Sequence, residues 1–218
     1  MHNFSRYEAI RRRREAEGHM RSSDAETGEK IAAIAAHPET KIIKRQDLSS
    51  PWEYVEDLFP RIAPAIARTN IFKNENTAFC KNIGIPSEAG GIFLIRASTI
   101  LICWNEDRFK DDVVVCHEML HYASQLLGGS MKSVDAEENF AFSKSINYLI
   151  SRGYTKEWIR DEYMLPYYWS REYRNDPSLG KEDAKTKAMN ICDGIIAQEM
   201  YGIRYEQDCG CEDRFDTI

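Results

Sequence analysis

The chain has 218 residues, 43% of them hydrophobic and 29% charged, with a formal net charge of −6. This length supports one well-buried domain with a small appendage, and the composition excludes an intrinsically disordered chain. The acidic balance argues against a protein that coats nucleic acid, and no apolar run approaches the ~20 residues of a membrane-spanning helix.

Residues 1–40 read as a polar N-terminal arm or helix, with 41–218 as the main domain. Met1-His2-Asn3-Phe4-Ser5-Arg6 lacks the apolar stretch of a secretory signal, so the expected compartment is the cytoplasm. The six cysteines (Cys80, Cys103, Cys116, Cys192, Cys209, Cys211) are then expected as reduced thiols. Arg11 to Arg14 form a basic run in a segment that reads as helical from Ser5 to Glu17. A solvated face is its simpler explanation, and a contact to phosphate or an acidic partner the sharper one.

A short helix is expected from Glu29 to Ala36, stopped by Pro38, and another from Pro51 to Phe59 with proline in its first turn. Ile92 to Ile95 and Thr99 to Trp104 are rich in β-branched and aromatic residues, which predicts two antiparallel strands around a turn at Arg96-Ala97-Ser98. Asp111-Asp112 can cap a helix from Val113 to Leu127, which Gly128-Gly129 would end. Further helices are expected from Val134 or Asp135 to Arg152, from Lys156 to Met164 with Thr155 as cap and Pro166 as kink or stop, and from Glu182 to Tyr201. The expected class is α+β: mostly helical, with a small antiparallel sheet before the central helix.

His117-Glu118-Met119-Leu120-His121 carries the chemistry. Residues four apart share a helix face, so both imidazoles can reach one metal ion. Glu118 is rotated about 100° from His117 and can act on a bound water without ligating. Zinc needs a third protein ligand and an open position. No histidine follows His121, so a ligand further along the chain must be a carboxylate or a cysteine. Three acids follow closely. Glu138 shares a stripe with Ala141, Phe142, Ser145, Ile146 and Leu149, the face expected to turn inward. Glu137 lies on a more polar stripe with Ala141, Lys144 and Tyr148, and Asp135 sits at the expected helix cap. Burying an acid is costly unless it is paired or bound to a cation, so Glu138 is preferred, with Glu137 as the alternative.

This pattern resembles the zincin metallopeptidases of the gluzincin type, in which His-Glu-x-x-His is followed by a glutamate on the next helix. Glu138-Asn139-Phe140-Ala141-Phe142 is also similar to the ImmA/IrrE-type peptidases. The resemblance covers about Gly91 to Arg152. It implies a zincin-like catalytic domain over 41–218 that hydrolyses peptide bonds, with Zn²⁺ held by His117, His121 and Glu138 and with Glu118 as general base. It further implies that Thr99 to Trp104 is an edge strand binding an extended peptide through Ile100, Ile102 and Trp104. An oxyanion donor is expected among Tyr163, Tyr167, Tyr168, Tyr201 and Tyr205. Two other functions fit the same residues: a zinc-stabilised binding or assembly protein without turnover, and a DNA-associated metalloprotease using Arg11 to Arg14. Cys192, Cys209 and Cys211 read as structural thiols, a second metal site or a disulfide.

Overall fold

The computed structural model describes residues 24–83, 91–94, 98–102, 110–127 and 134–202. Expectations for Arg11 to Arg14, Cys103, Trp104, Gly128-Gly129, Tyr205, Cys209 and Cys211 fall outside them. In chain order the elements are α1 (Asp24–Ala36), β1 (Lys41–Ile43), α2 (Ser49–Leu58), a 3-10 turn (Pro60–Ile62), α3 (Ala63–Ile66), β2 (Asn70–Lys73), α4 (Thr77–Asn82), β3 (Gly91–Leu94) and β4 (Thr99–Ile102). There follow α5 (Asp111–Leu126), α6 (Val134–Ser151), α7 (Lys156–Trp158), a π-helical turn (Ile159–Met164), α8 (Leu165–Asn175) and α9 (Lys181–Tyr201). The class is α+β and mostly helical. No helix among the described residues is long and apolar enough to cross a membrane.

The sheet has four strands in the order β1-β2-β4-β3. β3 and β4 pair antiparallel as expected, with Phe93 opposite Ile100 and Leu94 opposite Thr99. β1 also pairs antiparallel with β2. β2 and β4, however, run parallel, with Ile71 opposite Ile100, so the sheet is mixed rather than antiparallel. The physical cause is the crossover: the chain leaves β2, passes through α4 and β3, and returns to insert β4 between them.

β4 is therefore an interior strand, which corrects the expectation of an edge. All four of its residues are buried. Ile100 and Ile102 join the main core with α5, whereas Leu101 points the other way, to Ile34 of α1 and Cys80 of α4. A strand covered on both faces reads as a continuous apolar run, as Ile-Leu-Ile does here. Ile34 is 0% exposed, so this residue of α1 packs with Leu101 and Cys80.

Three ties hold the sheet to α5. Lys73 at the end of β2 donates to both carboxylate oxygens of Asp111 at 2.9 Å. Ser98 adopts a left-handed backbone (φ 47°), uncommon for a residue with a side chain. Its hydroxyl lies 2.7 Å from that of Tyr122, and its carbonyl accepts from Asn70 N at 2.9 Å. Phe93 packs against the Tyr122 ring, centroids 4.5 Å apart.

Asp111 and Asp112 do not cap α5; the cap position is Lys110, without a side-chain bond, and both acids stand in the first turn. Asp112 is buried and reaches across to α6, accepting from Arg152 Nε at 2.8 Å and Tyr148 Oη at 3.1 Å. Thr155 does cap α7, accepting from Trp158 N at 3.2 Å. Pro166 does not end the helical run: α8 follows the π-helical turn directly, with Met164 and Leu165 both in right-handed helical backbone, and the proline stands in its first turn.

Candidate metal centre

α5 is the central helix, packed against α2, α6, β3 and β4. Such a helix is buried all round and loses its amphipathic stripe. From Asp112 to Ser124, His117 and His121 are the two residues that are not buried. A pair of histidines serving as core filler would show the opposite pattern. Here the helical register that buries their neighbours leaves both imidazoles at the protein surface, side chains 13% and 12% exposed.

α6 supplies the third group. Glu138, Ala141, Phe142, Ser145, Ile146 and Leu149 are all buried along one face. The Glu138 carboxylate emerges from that face against both rings: Oε2 lies 3.4 Å from His117 Nε2, and Oε1 lies 3.7 Å from His121 Nε2. The two Nε2 atoms are 3.1 Å apart. A tetrahedral ion with bonds of about 2.0–2.2 Å sets its ligand atoms about 3.3–3.6 Å apart. The three donor-atom distances lie around that spacing, one shorter and one longer, and two imidazoles with a carboxylate suit a divalent transition metal. This His-His-Glu group is one that can hold a metal ion, and among the described residues no other His, Cys, Asp or Glu cluster does so.

The other acids turn elsewhere. Glu137 accepts from Gln125 Nε2 at 2.7 Å. Asp135 accepts from Tyr167 Oη at 2.6 Å and from Arg174 at 3.2 Å, so its role is a tie to α8. Cys116 is fully buried, and desolvation raises its thiol well above the usual range, leaving it neutral and apart from the ligand group. Burial likewise pushes the thiol of Cys192 in α9, a free cysteine, up to about 12.

Glu118 lies outside the ligand group. It is 5% exposed and has no hydrogen-bond partner among the described residues, so its carboxylate is not committed to a structural bond.

Of the tyrosines expected as oxyanion donors, the four among the described residues have other partners. The Tyr163 hydroxyl sits behind the site, 2.7 Å from His117 Nδ1 and 2.8 Å from Ser145 Oγ. Tyr167 donates to Asp135; burial, then the charges of Glu138 and Asp135, keep it protonated far above the normal tyrosine range. Tyr168 is fully buried and donates to Asn139 Oδ1 at 2.7 Å. Tyr201 is 58% exposed and bonded to Lys156. The Tyr163–Ser145 pair had no signal in sequence spacing, since 46 residues separate Tyr163 from the histidine that it contacts.

Ile100 and Ile102, expected to bind substrate, are 0% exposed and belong to the core. Ile102→Ala is expected to lower the unfolding free energy by about 2–5 kcal/mol in urea denaturation. A variant as stable as the wild type would return this position to the surface. A separate cleft of ≈ 370 Å³ is lined by Glu39, Lys41, Lys73, Glu75 and Asn76, and none of the expected site residues enters it.

Comparison with family models, with curated proteins and with solved structures finds no match to this chain. What the site can do is therefore argued from its own donor atoms.

Proposed function

We propose that this chain is a zinc-dependent metallopeptidase in which His117, His121 and Glu138 hold the ion and Glu118 moves the proton. The observation that carries this is the ligand count. Three protein groups converge, and no fourth joins them among the described residues. Structural zinc sites close with four protein ligands, whereas catalytic sites use three and keep one position for water or substrate. The partial exposure of both histidines leaves that position accessible. Glu118, next to His117 on the same helix and outside the ligand group, supports turnover over a zinc-stabilised binding role, which needs no such acid.

When bound, zinc lowers the pKa of a coordinated water to about 7 and polarises the scissile carbonyl. Glu118 is placed by the same helical turn as His117. Its carboxylate accepts a proton from the attacking water and returns it to the leaving amine nitrogen, which balances the two halves of the hydrolysis. Glu138 and the two imidazoles, rooted in the packed α5–α6 pair, give the donor set a fixed geometry. An extended substrate can pair with the outer edge of β3, the strand next to the buried β4 and in contact with α5.

Chelation tests this reading. Purified protein incubated with a mixed peptide library should yield cleavage products detectable by mass spectrometry. Treatment with a chelator should stop the cleavage, and one equivalent of zinc should restore it. Cleavage that persists in metal-free protein would remove the metal from the reaction, and zinc binding with no cleaved peptide would favour a binding role.

A further inference from the structure

Two residues outside the ligand group, Tyr163 and Ser145, stand behind His117 in a chain of hydrogen bonds. Phe142 O is a carbonyl and can only accept, so the 2.8 Å bond from Ser145 Oγ consumes the one proton of that hydroxyl. The 2.8 Å contact between Ser145 Oγ and Tyr163 Oη must then be donated by Tyr163, which has no second proton to give. At the 2.7 Å contact between Tyr163 Oη and His117 Nδ1, the proton therefore belongs to the ring. His117 is held with hydrogen on Nδ1, and in the neutral ring this leaves the lone pair on Nε2, the nitrogen facing His121 and Glu138.

From this order we infer that Tyr163, backed by Ser145, is a positioning residue that sets the tautomer and plane of His117 for metal binding; the inference rests on the metal-site reading above. The surroundings fit the role. Tyr163 is 5% exposed, Ser145 1% and Phe142 3%. The Phe142 ring meets His117 edge-on at 4.9 Å and Tyr163 at 5.0 Å, which blocks rotation of either ring. Tyr163 is carried by the π-helical turn Ile159–Met164, between α7 and α8. Such turns are rare and recur where a side chain must be re-aimed at a functional site. A metal-ligating histidine that donates its remote N–H to a fixed acceptor is the general way in which proteins orient such ligands.

Two measurements test the inference separately from the metal reading. Long-range ¹H–¹⁵N spectra of the metal-free wild type should show His117 protonated at Nδ1, and Tyr163→Phe should shift the ring toward the Nε2–H form. In competition titrations with a chromophoric chelator, Tyr163→Phe should bind zinc about 10–100-fold more weakly than wild type. Ser145→Ala should shift both readouts in the same direction by a smaller factor. An Nε2–H ring in the wild type overturns the inference whether or not zinc binds. So does a folded Tyr163→Phe variant with wild-type affinity and tautomer. A wild type that binds no zinc overturns the metal reading instead, and the spectra still decide the hydrogen-bond order.

Discussion

Replacing Glu138 by alanine is expected to weaken zinc binding by more than about 100-fold, since losing a partner behind a ligand already costs about 10–100-fold and this change removes a ligand itself. Glu137→Ala should bind zinc as the wild type does, because that carboxylate is engaged with Gln125. The difference should also appear in stability. An ion that binds only the folded state stabilises it by about 4 kcal/mol at a thousand times its dissociation constant, and by about 1.4 kcal/mol at ten times. Zinc should therefore raise the melting temperature of wild type and Glu137→Ala clearly, and that of Glu138→Ala little. Equal zinc content in all three proteins would displace Glu138 from the site.

The sequence made the metal group readable because its geometry is local. Two histidines four apart need only a helix to face one point, and the phase of Glu138 follows from the apolar residues that share its stripe. The long helices α5, α6 and α9 stand out by their length, and α9 ends as read, at Gly202 with its left-handed backbone (φ 63°). Other elements depend on distant partners. β1 and β2, with three and four residues, are too short for a period-2 pattern to stand out. Thr99 to Trp104 carries the continuous apolar run of a strand covered on both faces, but its neighbour on one side is β2, too short to be seen, and the core takes up Ile100 and Ile102. α8 was hidden by Pro166, whose place in a first turn becomes evident only once the preceding π turn is known. That same turn hid which way Tyr163 faces, so the residue read as an oxyanion candidate and not as a partner of His117, because hydrophobic periodicity assumes 3.6 residues per turn and fails where the helix widens.

Glu118→Gln is the change that separates hydrolysis from mere metal binding. Glutamine matches glutamate in shape and can still hydrogen-bond a water, but it cannot take up its proton. Positioned acid–base groups contribute roughly 10²–10⁴-fold to rate, so kcat should fall by that order in a peptide-cleavage assay, with KM little changed. Zinc content and melting temperature should stay at wild-type values, since Glu118 lies outside the ligand group and has no hydrogen-bond partner among the described residues. The contrast with Glu138→Ala is the informative part. One variant should keep the ion and lose turnover, and the other should lose both. A Glu118→Gln protein that cleaves peptide at the wild-type rate would strip this residue of its proton-carrying role, even with the three ligands intact.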